Sequence, residues 1–237
     1  MKEIIYTKAN NTNIGIILAA GNSNRFNSKT SKILYKINNK PIIKHSIDLL
    51  SKYLNKIIVV VNSKDYKSVK KLLNKSVVLV VNNVDNRLDS IKTGLDCIKC
   101  TDEISNILIH DAARPYITPE MIKCLIHSSE KYQYSQYYLN LVDGLVKKTT
   151  TGFDVVDRNN YLQLCTPQMI DYHLFGFLFR KYVYPNNRLS CEILPILNKF
   201  NISYNLIEGN HTYLRKITNL DDILSIEKKH EIQERHI

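Results

Sequence analysis

The stretch that decides the fold is IGIILAAGNSNR, residues 14–25. Residues 14–20 form a short apolar run, which predicts a buried strand. The run passes into a polar loop, residues 21–31, and the next apolar segment with helical spacing starts near Pro41. A buried strand followed by a small-residue loop and a helix is the beginning of a βα unit.

The same alternation continues along the next hundred residues. In the helix from Pro41, the residues Ile43, Ile47, Leu50 and Leu54 share one apolar face. Further strands are predicted at residues 57–61, 77–81 and 107–110, and further helices at 65–73, 88–98 and from a cap at Thr118 to about Lys131. The pattern predicts an α/β protein with a mainly parallel central sheet, whose ligand sites lie at the carboxyl ends of the strands.

Beyond residue 134 the pattern changes to short extended pieces. These are predicted at residues 137–142, 145–148 and 153–156, with hairpin signals at Asp143-Gly144 and Thr151-Gly152. Helices are predicted again at about 170–182 and 189–200, then a strand at 203–207 and a terminal helix from Leu220. Because no linker or repeat interrupts the chain, residues 1–237 are predicted to form one domain.

Composition excludes several classes of protein. The chain has 237 residues, 44% of them hydrophobic, which is ordinary for a globular protein and excludes global disorder. No apolar run approaches the roughly 18 residues of a membrane-spanning helix. The polar N-terminus lacks a secretory signal, and five cysteines make no disulfide framework, so a cytoplasmic location with reduced thiols is expected. Cys97 and Cys100 form a CxxC that is interpreted as two partly buried helical thiols.

Polar clusters follow the predicted strands. The first contains Ala19, Ala20, Gly21 and Asn22, followed by Arg25 and Lys32. Backbone N–H groups of such a turn bind phosphate oxygens, and the two cations neutralise them. A solvated basic loop explains this cluster equally well, because a single glycine makes neither a Rossmann nor a P-loop fingerprint.

Three more clusters come later in the chain. HDAARP, residues 110–115, places Asp111 after a strand, where it is suited to Mg²⁺ or a ribose, and Arg114 where it can pair with phosphate; an ordinary salt bridge is the alternative. VDR, residues 156–158, precedes TPQ, residues 166–168, and RKIT, residues 215–218, supplies Lys216.

The order and spacing of these motifs resemble those of the cytidylyltransferase family that makes 4-diphosphocytidyl-2-C-methylerythritol, over residues 14 to about 224. The motifs are AAG, R, K, HDAARP, VDR, TPQ and KIT. Close relatives of that family use ribitol 5-phosphate. The resemblance implies a Rossmann-like nucleotidyltransferase fold, with helices on both faces of the sheet and a protruding β-arm. It further implies a homodimer in which the arm, residues 137–163 here, closes the partner's site.

The resemblance also implies roles for particular residues. CTP and a small polyol phosphate are the expected substrates, and Mg²⁺ the expected cofactor, with Asp111 near the metal. Catalytic roles fall on Arg25, Lys32, Arg158 and Lys216. The nucleotide is expected at Ala19, Ala20, Gly21, Asn22, Asp85, Arg87, Ser90 and Asp111. The acceptor is expected at Arg114, Asp143, Gly144, Arg158, Thr166 and Lys216.

The chain departs from the family pattern at several of these places. Asn83-Val84 stands where relatives have Gly-Gly before Asp85, which bears on selection of cytosine. Gly144 replaces a substrate-contacting threonine, and Cys191 replaces an acidic residue. Ser23 and Ser31 replace a glycine and a proline near the first loop. HDAARP and VDR favour methylerythritol phosphate over ribitol phosphate as the acceptor.

Two alternatives remain from the sequence. A net charge of +11, from 33 Lys and Arg against 22 Asp and Glu, together with 15 tyrosines, suits a nucleic-acid-binding module. Against it, the lysines are spread over solvent-facing helix positions, and no nucleic-acid motif is present. The departures at Val84, Gly144 and Cys191 suit a catalytically idle relative, although the expected cations and Asp111 are retained.

Overall fold

The computed structural model describes residues 12–21, 26, 30–84, 86–99, 103–183 and 193–223. The strands are β1 Asn13–Ala19, β2 Lys36–Ile37, β3 Lys40–Pro41, β4 Lys56–Val61, β5 Val77–Val81, β6 Asn106–Asp111, β7 Tyr134–Asn140, β8 Leu145–Lys148, β9 Phe153–Val156, β10 Leu162–Asp171 and β11 Tyr204–Glu208. The α-helices are α1 Ile42–Leu50, α2 Ser63–Lys70, α3 Arg87–Asp96, α4 Pro119–Ser128, α5 Tyr172–Leu178 and α6 Leu194–Lys199. Short 3-10 helices span Lys32–Leu34 and Arg158–Asn160, and a π-helix spans Phe179–Val183.

Seven strands form the central sheet, in the order β11-β7-β10-β6-β1-β4-β5. All neighbouring pairs are parallel except those of β10, which runs antiparallel to both β6 and β7. The chain leaves β1 toward β4 and β5, then returns to place β6 on the other side of β1. The carboxyl ends of β1 and β6 therefore flank a topological switch point, where open α/β sheets bind ligands. The predicted α/β class with a mainly parallel sheet is confirmed.

Helices cover both faces of this sheet. On one face, α1, α2 and α4 contribute Ile43, Val69 and Ile122 to a buried cluster with alternate residues of the central strands. On the other face, α3, α5 and α6 bury side chains such as Ile91 and Leu178 against the remaining residues of the same strands. Both faces of β1 and β4 are covered, which explains why those strands are continuous apolar runs.

Helix α3 lies unusually close to β1. A Cβ atom at Gly94 would come within 2.7 Å of Ile16 Cγ2, so the helix can reach this position only because residue 94 has no side chain. The start of α3 faces the carboxyl end of β1. The close contact therefore fixes the distance between α3 and the switch point.

Several predicted elements needed correction. The hairpin signal at Asp143-Gly144 was wrong, because β7 belongs to the central sheet while β8 pairs with β9 in a separate two-stranded sheet. The hairpin at Thr151-Gly152 was correct, since it joins β8 to β9 and Gly152 has a φ of 156°. The helix predicted from residue 170 begins at Tyr172, because Ile170 and Asp171 end β10.

Two elements were not predicted at all. β10 carries Pro167 in its middle, and the ladder accommodates this proline at a register shift between Cys165 and Gln168. The hairpin of β2 and β3 turns at Asn38 and Asn39, which have φ values of 49° and 60° and are the residue type that best tolerates this conformation after glycine.

Other predicted segments are shorter than expected or only partly described. Helix α1 ends at Leu50, and Leu54 is buried in the turn that follows it. The residue pattern placed a helix at 189–200, of which Leu194–Lys199 is helical and 189–192 lie outside the described residues. The terminal helix is helical at residues 221–223, and the rest lies outside the described part. Among the described helices, none has the length and apolarity needed to cross a membrane.

The predicted arm includes more than the hairpin. Of residues 137–163, the ends at 137–140 and 162–163 pair with each other inside the central sheet. The β8–β9 hairpin, residues 145–156, is the part outside that sheet. The hairpin is highly exposed and includes apolar side chains, with Phe153 at 70% and Val155 at 88% of full exposure.

Candidate active site

A cleft of about 240 Å³ opens at the switch point between β1 and β6. We call it the first cleft; its described lining residues are Leu18, Ala19, Ala20, Gly21, Lys32, Ile33, Val84, Asn86, Arg87, Ser90, Asp111, Ala113 and Lys216. Three of these side chains are cationic and one is an acid. The structure thus brings together most of the residues that the sequence assigned to nucleotide binding, from three separate segments of the chain.

The first wall of this cleft follows β1. Ala19 ends the strand, and Ala20 and Gly21 continue into the loop. Asn22 and Arg25 lie outside the described residues. Lys32 begins the 3-10 helix Lys32–Leu34 and lines the cleft from the far end of the loop.

The residue before Lys32 is held by a contact with helix α2. The Ser31 hydroxyl donates a hydrogen bond of 2.8 Å to Oδ2 of Asp65, which is buried in the first turn of α2. Asn62 caps that helix by accepting from the Asp65 N–H at 2.9 Å. Ser31, which departs from the family's proline, therefore anchors the segment that carries Lys32.

The second wall is the start of α3, which carries Arg87 and Ser90. Asn86 caps this helix by accepting from the Leu88 N–H at 2.9 Å. The buried side chain of Asn82 donates to the Ser90 hydroxyl at 2.9 Å and accepts from the Val84 N–H at 3.1 Å. Sequence reasoning missed Asn82; its position directly after β5, at the same sheet edge as the other site residues, was the available signal.

Asn83 and Val84, the residues that replace Gly-Gly, fit this wall without strain. The Asn83 side chain accepts a hydrogen bond of 2.9 Å from the Ser63 N–H at the start of α2. Neither residue has a positive φ. Asp85 lies outside the described residues, so its predicted contact with the base stays a prediction.

Asp111 lies at the centre of the site, as the last residue of β6. Its N–H donates to the Thr166 hydroxyl at 3.0 Å, which fixes the strand end against β10. Its Oδ2 accepts from Lys216 Nζ at 2.9 Å and lies 3.6 Å from Arg114 Nε, and its Oδ1 lies 3.5 Å from Arg87 Nε.

These cations decide the ionisation of Asp111. Burial alone would favour the neutral acid, but the charges of Arg87, Lys216 and Arg114 outweigh it and hold the pKa of this carboxyl well below its usual range. Asp111 is therefore an anion at any pH near neutrality. Since one carboxylate faces three cations, the described part of the site keeps a net positive charge, which suits anionic ligands.

His110 is a neutral support for the same loop. It is fully buried, and its Nε2 lies 3.1 Å from the Arg114 carbonyl oxygen and 3.2 Å from the Ser46 hydroxyl. Burial lowers the pKa of this imidazole to about 4, so the ring is uncharged at neutral pH. His110 can donate to the Arg114 carbonyl without adding a charge to the site.

A second cleft, of about 460 Å³, lies on the other side of Lys216. Its described lining residues are Arg114, Leu139, Gln163, His211, Leu214, Arg215, Lys216 and Thr218. The guanidinium of Arg114 also donates to the Leu214 carbonyl, which joins the loop after β6 to the loop after β11. Lys216 lines both clefts, so they meet at the Lys216–Asp111 ion pair.

Four residues predicted to bind the acceptor line neither cleft. Asp143 and Gly144 are exposed at the base of the arm, and the exposed Arg158 donates to the Val142 carbonyl. Within a single chain the structure does not bring them to the site. Thr166 is also not a lining residue of either cleft; its hydroxyl is engaged with the Asp111 backbone.

The site offers little protein ligation for a metal. Within the described ranges, no three His, Cys, Asp or Glu side chains come together as a metal site. Asp111 is the only acid among the described residues of the first cleft. Mg²⁺ commonly binds through one or two carboxylates with substrate phosphates and water completing its shell, and Asp111 fits that mode. Of the CxxC pair, Cys97 follows the last residue of α3, donates its thiol to the Thr93 carbonyl and lines neither cleft, while Cys100 lies outside the described part.

Comparison with known proteins shows which family the chain resembles. A family model described as IspD, 2-C-methyl-D-erythritol 4-phosphate cytidylyltransferase, matches residues 14–229. The 2-C-methyl-D-erythritol 4-phosphate cytidylyltransferase of Clostridium botulinum is 28% identical over 217 residues, which cover 88% of this chain and 93% of the relative. The bifunctional enzyme IspD/IspF of Pelagibacter ubique is 32% identical over 187 residues, or 78% of this chain and 48% of that protein.

Solved structures support the fold. The crystal structure of 4-diphosphocytidyl-2C-methyl-D-erythritol synthase from Anaerococcus prevotii superposes with a TM-score of 0.78 at 19% identity, covering 93% of this chain and 99% of that one. The arrangement of sheet and helices is thus the one seen in that solved structure. Because the family model spans nearly the whole chain, the resemblance found in the sequence is confirmed, and the chain belongs to the IspD family of cytidylyltransferase enzymes.

Proposed function

We propose that this enzyme transfers CMP from CTP to 2-C-methyl-D-erythritol 4-phosphate and releases pyrophosphate. The observation that carries the proposal is the meeting of two cation-lined clefts at the Lys216–Asp111 pair. One cleft suits a nucleoside triphosphate and the other a phosphorylated acceptor. A transfer between two polyanions needs this arrangement, because both must come close despite their repulsion.

The nucleotide is assigned to the first cleft. The backbone from Ala19 to Gly21 lies at the carboxyl end of β1, where N–H groups can meet phosphate oxygens, and Lys32 adds a charge. The base is assigned to the opposite wall, where Ser90 is oriented by Asn82. Asp111, which lines the same cleft, is assigned to the ribose.

The acceptor is assigned to the second cleft. Its phosphate is attracted by Lys216, Arg114 and Arg215, while Gln163 and Thr218 supply polar groups for the hydroxyls. The described lining of this cleft contains no acid, which favours a dianionic phosphate. Lys216 then holds the acceptor phosphate next to the nucleotide.

The chemistry is an in-line displacement. A phosphate oxygen of the acceptor attacks the α-phosphorus of CTP, a new P–O bond forms, and the bond to the bridging oxygen of pyrophosphate breaks. The attacking oxygen is already an anion, so no covalent enzyme intermediate is required. Lys32 stabilises the negative charge of the transition state around the phosphorus. Arg25 is assigned the same role, because it matches a catalytic residue of the family.

We also propose Mg²⁺ as the cofactor and a homodimer as the working form. Mg²⁺ would be held by triphosphate oxygens with Asp111, and when bound it neutralises charge on the nucleotide. The dimer is supported by the exposure of the apolar side chains of Phe153 and Val155, and by the absence of Arg158 from the described lining of its own chain's two clefts. A partner's Arg158 would reach the second cleft. A cytoplasmic location stays a prediction of the sequence.

Ribitol 5-phosphate is the competing acceptor, favoured by Gly144, which lacks the hydroxyl that the family places there. The test is turnover of each of the four nucleoside triphosphates with methylerythritol 4-phosphate and with ribitol 5-phosphate, measured as pyrophosphate release. We expect CTP with methylerythritol 4-phosphate to give the highest kcat/KM. Turnover with ribitol 5-phosphate only, or with no combination, would refute the proposal. A gel-shift assay with RNA or DNA at physiological salt tests the alternative of a nucleic-acid-binding protein, which predicts a shifted band.

A further inference from the structure

Asp222 holds the loop that carries Lys216. Its Oδ2 accepts three hydrogen bonds, from the Thr218 N–H at 2.6 Å, the Thr218 hydroxyl at 2.8 Å and the Asn219 N–H at 3.0 Å. Its Oδ1 accepts from Arg215 Nη2 at 3.3 Å. The two residues with side chains bound to this carboxylate, Arg215 and Thr218, stand on either side of Lys216 in the sequence.

Part of this arrangement is an ordinary helix cap. The Asn219 side chain accepts from the Asp222 N–H at 2.9 Å while Asp222 accepts from the Asn219 N–H, which is the reciprocal pattern of a capping box. A capping box needs only those two bonds. The further bonds to Thr218 and Arg215 reach back beyond the cap into the loop of the active site.

The opposite side of the loop is fixed against the end of β6. The Ile217 N–H donates to the Ala113 carbonyl at 2.8 Å, and its fully buried side chain packs with Ile37 and Ile42. The Leu214 carbonyl accepts from the Arg114 guanidinium. With the neighbours of Lys216 held on both sides, its side chain extends to Asp111, where Nζ and Oδ2 are 2.9 Å apart.

The ionised state of Asp222 is part of this clamp. Its partial burial favours the neutral acid, but the N–H groups of Thr218 and Asn219 and the Thr218 hydroxyl hold the pKa of the carboxyl below its usual range. An amide in its place has one acceptor oxygen, so it cannot serve both Thr218 and Arg215. The amide nitrogen, in place of the second carboxylate oxygen, is a hydrogen-bond donor and would face groups that are themselves donors.

We propose that Asp222 is a positioning residue that fixes Lys216 at the boundary of the two clefts, and thereby sets the affinity for the acceptor phosphate. The proposal rests on the proposed function in one respect, that Lys216 binds that phosphate. Asp222 itself lines neither cleft. Its effect on binding passes through the geometry of Lys216.

The test compares Asp222→Asn with two matched variants. Asp221→Asn makes the same charge change at the exposed neighbouring residue, and Asn219→Ala removes one half of the capping box without touching Arg215 or Thr218. We expect Asp222→Asn to raise the acceptor KM about tenfold, with the KM for CTP within about twofold of wild type. Asn219→Ala should lower Tm and leave both KM values unchanged. An equal rise in acceptor KM for Asn219→Ala and Asp222→Asn would reduce Asp222 to a helix cap and overturn the proposal.

A double variant isolates the dependence on Lys216. If Asp222 acts through Lys216, then Asp222→Asn adds less than about a twofold change in acceptor KM when Lys216 is already alanine. A full additional tenfold rise in that background would contradict the proposal. So would a fall in Tm for Asp222→Asn with no change in the acceptor KM.

A second readout is independent of turnover, so failure of the proposed function can be recognised separately. The rate at which an amine-reactive ester acylates Lys216 can be followed by peptide mass spectrometry on the whole protein. We expect acylation to be several-fold faster in Asp222→Asn than in wild type, and unchanged in Asp221→Asn and Asn219→Ala. An unchanged rate in Asp222→Asn refutes the positioning role even if no acceptor is turned over. A faster rate in an inactive enzyme supports the positioning role and refutes the proposed function alone.

Discussion

Replacing Gly94 by alanine tests whether the close contact of α3 with β1 sets the geometry of the nucleotide wall. The new Cβ would lie 2.7 Å from Ile16 Cγ2 and 3.2 Å from Cδ1. Ile16 is fully buried between sheet and helix, so it has little room to move. Overpacking of this kind costs about 1–3 kcal/mol, while alanine in place of glycine in a helix returns about 1 kcal/mol.

The matched control is Gly176→Ala, in the interior of α5. A Cβ there would meet no atom within 4 Å, so only the gain in helix propensity remains. The difference in unfolding free energy between the two variants therefore isolates the steric cost, about 1–3 kcal/mol. For a chain of this size each kcal/mol changes Tm by about 2–4 °C, which puts Gly94→Ala about 2–12 °C below Gly176→Ala.

The functional consequence follows from the residues that α3 carries. If the helix moves away from β1 by a few tenths of an ångström, Arg87 and Ser90 move with it, and the KM for CTP rises while the acceptor KM stays near wild type. Calorimetry of the two variants and steady-state kinetics with each substrate check this. Equal Tm values, or a changed acceptor KM with an unchanged KM for CTP, would refute the reasoning about α3.

Four further variants test the charged residues assigned to the site. Lys32→Ala should lower kcat by about 10²-fold or more with a small change in Tm, because it removes transition-state charge stabilisation, and single-turnover kinetics with CTP would measure it. Lys216→Ala should instead raise the acceptor KM at a nearly unchanged kcat, as seen in substrate titrations. Asp111→Asn should lower the free energy of unfolding by about 2–3 kcal/mol at pH 7, less than the roughly 3–5 kcal/mol of a fully buried pair because Lys216 is partly exposed. Since the pKa of Asp111 is lower in the folded state, the stability difference between wild type and Asp111→Asn should reach its maximum above about pH 5 and shrink as the pH falls below about 4. Thermal unfolding measured across this pH range would show it. Arg158→Ala mixed with Lys32→Ala should recover activity above either variant alone if the arm acts across a dimer, and no recovery on mixing would count against a shared site.

The sequence predicted the central βα units because β1 and β4 are continuous apolar runs covered on both faces. It failed at β10 for an identifiable reason. Pro167 interrupts the strand signal, and only the pairing of β10 with β6 and β7 shows that the proline lies at a register shift. The strand matters for the site, because it brings Thr166 to the Asp111 N–H.

Residues that line the first cleft were largely predictable, because motifs at strand ends identify them, whereas only Arg114 and Lys216 of the second cleft were assigned to the site. Residues that support them were not, since a hydrogen bond between distant segments leaves no local signal. Asn82 and Asp222 illustrate this: each is a common polar residue in the sequence, and its role becomes visible only when its partners Ser90 and Thr218 are located in space. The turn at Asn38 and Asn39, by contrast, carried a recognisable local signal that was overlooked.

The Lys216–Asp111 pair also has a consequence for the order of folding. Its members are 105 residues apart in the chain, and β1 pairs with β6 across a separation of 93 residues, as in the Asn106–Asn13 hydrogen bond. Contacts of such long range form slowly, because the intervening chain must first be ordered. During synthesis the sheet from β1 to β6 can assemble well before residue 216 leaves the ribosome. The ability to bind the acceptor is therefore acquired at the end of folding, when the segment after β11 docks on a sheet that is already formed.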